Sequence, residues 1–483
     1  MLFVKHSFSR AAVPGGARAE TCGFRVQVSS AFIYALSVVF LTTLVLLCFN
    51  PGYMNVDTLD MWGQATHQIP YRDWHPVVIS ILWSQLRHLY AGPQTLLVVE
   101  DVLFCAGVIL LLRGVAGRWG TVAILAAVVA FPPVFAYLGT IGKDSLLGAA
   151  LLLAVGLLYL YLENHRPWTL AMALGASFLA FSTRQNAVFG LLPILGLLFW
   201  EALRSHKYRV QWSAALLIIT ISGFAAIDAM VDMEVHAGRG YEYQAIPLYD
   251  PAALSARTQR VLFPPEFLSP SGSLAGIDQH LSTRFVNSLI WPWDSANPLR
   301  LSDNPHSVHV LTHLWLTKVC AHPVLYVRWR WSVLSALAGL DPIVTTPYLE
   351  GISPNPAGIT LHSTRYTKAE LHFLHSIAQS LFFRAYLYVL LLILLFAWSI
   401  WKRRRPMGVA ASSGLAFFFA FFVLSVNSEF RFVVYTMFIA VALFARWLAE
   451  SAQIILTRGR AEMPEPQRLS AREAALASSQ RNR

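Results

Sequence analysis

Long apolar runs alternate with short polar connections along most of the chain. Each run matches the hydrocarbon thickness of a bilayer, which a helix of about 20 residues crosses, so each predicts a membrane-spanning α-helix. The clear runs are residues 31–49, 94–112, 119–138, 145–162, 168–182, 186–201, 211–228, 379–401, 408–426 and 431–449. The pattern therefore predicts an all-α polytopic membrane protein with about ten transmembrane helices.

One further apolar segment, "VVISILWSQLRHLY" at residues 77–90, is too short to span comfortably. If it does not cross, the basic clusters fall on the cytoplasmic side, as the positive-inside rule requires. If it crosses, every later loop inverts and the rule fails. We therefore predict an interfacial helix on the outer leaflet and both termini inside. The basic clusters are residues 113–118, 163–166, 204–209 and 402–405.

Composition supports the membrane assignment. The 483 residues are 56% hydrophobic and 13% charged, more apolar side chain than a soluble protein of this length could bury. The formal charge of +11 lies largely in clusters beside apolar runs, so it indicates topology and no nucleic-acid partner. The four cysteines are scattered and show neither a disulfide framework nor zinc spacing.

The same pattern divides the chain into five parts. A stretch rich in Pro, Trp, His and Asn offers no clean span, and topology places it outside as a mostly helical domain. Two strings in it, "HVLTHLWLTKVC" and "VLYVRWRWSVLSAL", have helical apolar spacing. The predicted parts are a cytoplasmic N-terminal segment 1–30, a transmembrane region 31–228 with a first external loop 50–93, an external domain 229–378, C-terminal transmembrane helices 379–449 and a disordered cytoplasmic tail 450–483.

Ionisable residues concentrate on the predicted external side. Such groups at membrane depth are costly and usually face a polar cavity or a partner. Any one of them could be an ordinary solvent-exposed loop residue. Because all are predicted at the same membrane depth in four separate connections, together they predict one polar site. Asp57, Asp60, Asp73 and His75 lie in the first external loop, and Lys143, Asp144, Arg184, Glu429 and Arg431 lie in three other connections.

Asp57 is the candidate general base, because partial burial can raise the pKa of a carboxylate toward the working range of such a catalyst. Asp60 lies three residues later, so a helix over this stretch places both carboxylates on one face. The alternative is that Asp57 or Asp60 caps a short helix. Asp73, before the string "WHP", suits a structural corner together with His75.

Three cations suit an anionic ligand. Arg binds phosphate with a planar fork and Lys with a point charge, so Lys143, Arg184 and Arg431 could hold the phosphate of a lipid-linked donor. Asp144 and Glu429 would then support the neighbouring cations. The alternative is that each cation simply meets lipid headgroups at the interface.

A metal site has little support in the sequence. His306, His309 and His313 share one face of a predicted helix, but no further ligand follows at a motif spacing. The chain carries no HExxH, P-loop, GxSxG or Rossmann fingerprint. We therefore expect no metal site and no cofactor, while a dependence on a divalent metal stays open.

Several strings together resemble the GT-C superfamily of integral membrane glycosyltransferases, in particular a poorly characterised bacterial branch. They span residues 50–445, and their order carries the resemblance: "GYMNVDTLDMWGQA", "DWHPVV", "GTIGKDSLL", "STRQNAVFGLLPIL", "HLWLTKVCAHPVLYVRWRW" and "SEFRFVVYTMFIA". The resemblance implies a GT-C-like fold and inverting transfer of a sugar from a polyprenyl-phosphate donor to a lipid, glycan or protein acceptor. It also implies a bacterial inner-membrane enzyme whose active site faces the periplasm.

By the same resemblance, Asp57 matches the catalytic base, and Lys143, Arg184 and Arg431 match positions that contact the donor phosphate. The chain departs from some members in lacking two adjacent acids in this loop, which leaves the part of Asp60 in catalysis open. It also lacks the long soluble C-terminal domain of the oligosaccharyltransferases, which argues against Asn-linked protein glycosylation. The tryptophans of the external domain could stack on sugars or form a headgroup belt. They are Trp291, Trp293, Trp315, Trp329 and Trp331.

Two other functions handle the same kind of ligand. A transporter or flippase for lipid-linked glycans would carry charges within its spans and an internal repeat. The charges noted above lie instead at loop level, and the two halves are dissimilar. An O-antigen polymerase or ligase would rely on external Arg and His, and it should tolerate the loss of Asp57.

Overall fold

The computed structural model describes residues 29–290, 296–342 and 351–462. These residues form helices and loops without a β-strand, and helix accounts for 73% of the structure. The all-α prediction is therefore confirmed. The predicted N-terminal segment before residue 29 and the predicted tail after residue 462 lie outside the described residues.

Most predicted spans correspond to one helix each. The helices up to Glu234 are α1 (Ser30–Phe49), α2 (Val56–Ala65), α3 (Val77–Leu86), α4 (Gln94–Leu112), α5 (Arg118–Val129), α6 (Pro132–Leu138), α7 (Lys143–Asn164), α8 (Pro167–Thr183), α9 (Ala187–Ala202) and α10 (Arg209–Glu234). The last three helices are α17 (Ala385–Trp401), α18 (Arg405–Leu424) and α19 (Val434–Glu462).

Six helices among the described residues are long and apolar enough to cross a membrane, namely α1, α4, α7, α10, α18 and α19. The pair α5 and α6 would make a seventh span. Helices α9 and α17 are apolar but shorter, and α8 has 17 residues. The structure thus supports a membrane-embedded helical protein, while the count of about ten spans remains a prediction. The segment 77–90, predicted to be an interfacial helix, forms the ten-residue helix α3.

The span predicted over residues 119–138 is broken. Helices α5 and α6 are bent by 82° relative to each other. Pro132 and Pro133 begin α6, and Phe131 before them has an extended backbone. Proline lacks the donor that a continuous helix needs, and it disfavours the helical conformation of the preceding residue.

Helix α19 continues to Glu462, past residue 449, where the sequence predicted a span to end and a tail to begin. Arg446 pairs with Glu450 one turn later at 2.8 Å, an arrangement that stabilises a helix across this boundary. The guanidinium of Arg446 also lies 4.4 Å from the ring centroid of Tyr159 on α7. The first turns of the predicted tail are therefore helical.

Helix α7 is the most deeply buried membrane helix, and it packs most extensively on α4 and α8. Its approach to α4 depends on two small residues. A Cβ atom added at Gly156 would lie 2.8 Å from the carbonyl oxygen of Gly107, and one added at Gly107 would lie 2.9 Å from the Leu152 backbone. Glycine at such interfaces allows membrane helices to approach closely.

Gly156→Ala is expected to destabilise the protein by about 1–3 kcal/mol, since the added methyl group forces α4 and α7 apart. Thermal unfolding in detergent would measure the change. Gly175→Ala on α8 is the matched control, because an added Cβ there meets no atom within 4 Å. Equal unfolding midpoints for the two variants would contradict a tight contact between α4 and α7.

The segment between α10 and α17, called the external region here after its predicted location, contains a second hydrophobic cluster, which includes Tyr249, Leu311 and Trp329. Both strings with helical spacing form helices, as predicted. The described helices of this region are α11 (Ala245–Thr258), α12 (Leu274–His280), α13 (Asn287–Ile290), α14 (Pro305–Ala321), α15 (Pro323–Ala338) and α16 (Arg365–Ile377).

A fully buried ion pair joins this region to the membrane helices. Nη2 of Arg330 lies 2.5 Å from Oδ2 of Asp250, and neither side chain is exposed. The Trp315 indole donates to the same carboxylate oxygen at 2.8 Å. Nη1 of Arg330 donates to the carbonyl of Ser425, just after α18, at 2.6 Å. The pair thus connects α11 and α15 with the loop that leads to Glu429.

Candidate functional site

The segment that leads into the first external loop is held on both sides by backbone hydrogen bonds. Tyr53 donates to the Gly139 carbonyl at 2.9 Å and accepts from the Ile141 amide at 3.0 Å. Met54 donates to the Gly351 carbonyl at 3.0 Å. These bonds fix the start of α2 against the connection between α6 and α7.

Asn55 caps α2. Its side chain accepts a hydrogen bond from the Thr58 amide at 2.9 Å. The Thr58 hydroxyl in turn donates to the Ile141 carbonyl at 2.8 Å. The alternative that Asp57 or Asp60 is the capping residue is therefore wrong, and both carboxylates are available for other contacts.

Tyr53 also contacts α16. Its hydroxyl donates to Oε2 of Glu370 at 3.0 Å. Burial raises the pKa of Glu370 to about 7, against the opposing effect of the Tyr53 hydrogen bond. This carboxyl group is thus about half protonated at pH 7, where an exposed Glu is ionised.

We expect Glu370 to make stability fall as pH rises from about 4.5 to about 7, since the folded state binds the proton more tightly than the unfolded state. Its contribution is complete below pH 4.5 and lost above pH 7. Glu370→Gln should remove this part of the pH dependence. Unfolding midpoints measured between pH 4.5 and 7.5, with the exposed Glu266→Gln as control, would test this. Parallel curves for wild type and Glu370→Gln would contradict it.

Lys143, the first residue of α7, contacts the first loop. Its Nζ lies 3.1 Å from Nδ1 of His75. Because an ammonium group cannot accept, Nδ1 is the acceptor, and the neutral ring carries its proton on Nε2. That atom lies 3.9 Å from Oδ2 of Asp60. Burial and the charge of Lys143 lower the pKa of His75 to about 3, so the ring is neutral at physiological pH.

Arg431 binds two carboxylates. Its Nη1 donates to Oδ2 of Asp57 at 2.7 Å, and its Nε pairs with Glu429. Arg184, which ends α8, pairs in the same way with Asp144 on α7. The two guanidinium carbons lie 4.9 and 5.2 Å from the ring centroid of Phe432, Arg184 being the nearer. Every arginine of the site is therefore neutralised by acid.

The carboxylates differ in their acidity. Burial opposes the ionisation of Asp57, but Arg431 and Lys143 outweigh it and hold the pKa of Asp57 well below its usual value. The sequence-based expectation of a raised pKa is therefore wrong for Asp57. Burial does raise the pKa of Asp60, although Gln64 donates to its Oδ2 at 2.8 Å. Burial likewise raises the pKa of Glu429, with Arg431 opposing.

The eight predicted side chains lie in α2, before α3, at the start of α7, at the end of α8 and before α19. Their contacts form three groups: Asp57 and Glu429 on Arg431, Lys143 and Asp60 on His75, and Asp144 on Arg184. The charge of Lys143 acts on Asp57, which connects the Arg431 group with the Lys143 group. Asp57 and Asp60 are the more open members, with side chains 30% and 34% exposed. This arrangement supports a shared polar site, while the role of each residue remains a prediction. The eight are Asp57, Asp60, His75, Lys143, Asp144, Arg184, Glu429 and Arg431.

Asp73 lies apart from this site. Its side chain accepts from the Gly240 amide and lies 3.4 Å from Nη1 of Arg239. It thus ties the first loop to the segment after α10, which supports the predicted structural corner. His75, expected to share that corner, instead contacts Lys143.

Sequence reasoning passed over Glu100 and Asp101. Both are fully buried in α4, and Oε1 of Glu100 accepts from the Gly142 amide at 3.2 Å. Gly142 directly precedes Lys143, so Glu100 adjoins the site. The available signal was two carboxylates inside the apolar run 94–112, which are expensive in a membrane span.

The other sequence candidates find less support. His306, His309 and His313 lie on the exposed face of α14, and the described part of the chain holds no group of three or more His, Cys, Asp or Glu arranged to bind a metal. Trp329 is buried against Tyr249, whereas Trp331 is 61% exposed. Trp291 and Trp293 lie outside the described residues.

Comparison with known proteins does not assign the chain to a family. No protein-family model matches the chain, and no curated protein matches it.

Proposed function

We propose that the protein is an inverting membrane glycosyltransferase that moves a sugar from a polyprenyl-phosphate donor to a lipid, glycan or protein acceptor. One observation carries the proposal: an accessible carboxylate, Asp57, shares a site with Lys143, Arg184 and Arg431 at the ends of apolar helices. A donor with an anionic phosphate needs cations at headgroup level, and an acceptor nucleophile needs a base. On the predicted topology this site faces the outside of a bacterial inner membrane.

In the proposed reaction the acceptor oxygen attacks the anomeric carbon while the bond from that carbon to the phosphate oxygen breaks. The acceptor proton passes to a carboxylate of the first loop. The bonding electron pair leaves with the polyprenyl phosphate, whose charge the cations stabilise. A single in-line displacement of this kind inverts the anomeric configuration.

Asp57 must be freed before it can act as this base. Arg431 binds it and keeps its pKa low, which makes it a weak proton acceptor. A donor phosphate would compete for the guanidinium, since Arg binds phosphate with the same fork as carboxylate. Loss of that contact would raise the pKa of Asp57. Asp60, whose pKa burial already raises, is the second candidate base.

The structure also gives one observation in favour of a transporter for lipid-linked glycans. Glu100 and Asp101 are ionisable residues that lie fully buried within the apolar helix α4. This is contrary to the expectation that ionisable residues lie at loop level. Buried carboxylates of this kind often mark ion or proton pathways. A transporter would move the intact lipid-linked glycan and leave its composition unchanged.

Mass spectrometry of glycolipids and glycans from a strain lacking this gene would test the function. We expect one sugar to be missing from an acceptor and restored by the wild-type protein. An unchanged glycan profile would contradict the glycosyltransferase proposal. Accumulation of complete lipid-linked glycan on the cytoplasmic leaflet would contradict it as well and favour a transporter.

A further inference from the structure

The amino end of α7, which carries Lys143 and Asp144, has no capping side chain of its own. Gly142 occupies the capping position. The first amides of a helix lack partners within the helix, and a Ser, Thr, Asp or Asn usually supplies one. Here the acceptor comes from a neighbouring helix, since Oε1 of Glu100 on α4 accepts from the Gly142 amide at 3.2 Å.

Two further bonds act on the preceding residue. The Ile141 amide donates to the Tyr53 carbonyl at 3.0 Å, and the Ile141 carbonyl accepts from the Thr58 hydroxyl at 2.8 Å. Tyr53 and Thr58 flank Asp57 in the chain. These two bonds hold Ile141 against the start of α2, and the bond from Glu100 ties the next residue, Gly142, to α4.

We infer that Glu100 is a positioning residue, which fixes Lys143 and Asp144 relative to Asp57 through the Gly142 amide. The inference rests on the proposed function only for its effect on sugar transfer, since the hydrogen bond stands without it. A buried carboxyl group within a span is unfavourable unless its contacts offset the loss of hydration. Glu100 makes such a contact, whereas neither carboxylate oxygen of its neighbour Asp101 has a hydrogen-bond partner.

Two conservative variants separate the reach of the side chain from the chemistry of its carboxyl group. Glu100→Gln keeps an acceptor oxygen at the same distance and replaces the carboxyl group by an amide. Glu100→Asp keeps the carboxyl group and withdraws the acceptor by about 1.5 Å, the length of one carbon–carbon bond. Asp101→Asn on the same helix is the matched control, because Asp101 is equally buried and lies outside the contact with Gly142.

Amide hydrogen exchange of the purified full-length protein and sugar transfer in membranes are the two measurements. We expect Glu100→Asp to speed exchange at residues 141–144 about tenfold, the effect of one lost hydrogen bond. The rate of transfer should fall by a similar factor at saturating donor. Glu100→Gln and Asp101→Asn should resemble wild type in both measurements.

Wild-type exchange in Glu100→Asp would overturn the inference, whatever happens to transfer. So would fast exchange in Glu100→Gln, because the position of the acceptor oxygen would then not be what holds α7. If wild-type membranes show no transfer while Glu100→Asp still exchanges faster, the positioning role stands and the proposed function fails. If exchange rises and transfer is unchanged, the effect of Glu100 on the site is refuted.

Discussion

Asp57→Asn is expected to reduce sugar transfer from a polyprenyl-phosphate donor by roughly 10²–10⁴-fold, the usual contribution of a general base. Asparagine keeps the shape of the side chain, but its amide oxygen is a far weaker proton acceptor. It also leaves Arg431 paired with Glu429, so the variant should fold and reach the membrane. Transfer of labelled sugar in membranes, normalised to the amount of protein, is the measurement.

The matched control is Asp278→Asn, which removes an exposed carboxylate of the external region. It should transfer sugar at the wild-type rate. Retained transfer by Asp57→Asn would contradict the assignment of Asp57 as the general base. It would favour a polymerase or ligase that relies on external Arg and His. If Asp60→Asn alone abolished transfer, the base would be Asp60.

Arg330→Met is expected to destabilise the protein by about 3–5 kcal/mol, because it leaves Asp250 buried without its counter-ion. The carbonyl of Ser425 also loses its donor. Since this pair joins the external region to the end of α18, the loss should loosen the loop that carries Glu429 and Arg431. Unfolding in detergent and limited proteolysis of the external region would measure both effects.

Replacing both partners should recover much of the loss. The double variant Arg330→Met with Asp250→Leu leaves no unpaired buried charge, so it should be more stable than Arg330→Met alone. Arg328→Met, on the exposed side of the same helix, should be neutral. A double variant no more stable than the single one would show that the buried charge is not the cause.

The apolar runs and basic clusters were enough to predict most helices, because a bilayer imposes a length and a charge asymmetry that single sequences display directly. They could not predict the bend at Pro132, since the run 119–138 is apolar throughout. Nor could they predict that α19 continues beyond its apolar stretch. This continuation is supported by the pairing of Arg446 with Glu450 within α19 and by the contact of Arg446 with Tyr159 on α7.

The candidate site shows the same limit. The sequence could predict that these ionisable residues share one site, but it could not predict which acid pairs with which cation. Asp57 and Arg431 are 374 positions apart, and their contact reverses the expected direction of the pKa shift of Asp57. The contact of Glu100 with Gly142 likewise joins two helices whose register only packing defines.

The internal pairing of Arg184 and Arg431 with acids bears on which anions can enter. A site whose arginines are neutralised by carboxylates exerts little long-range attraction on phosphates dissolved in the surrounding water. A soluble sugar phosphate would have to displace a carboxylate at its low bulk concentration. A phosphate anchored in the bilayer competes at a far higher local concentration, because its lipid keeps it beside the helix ends. Selectivity for membrane-bound donors would then follow from competition, without any contact to the sugar.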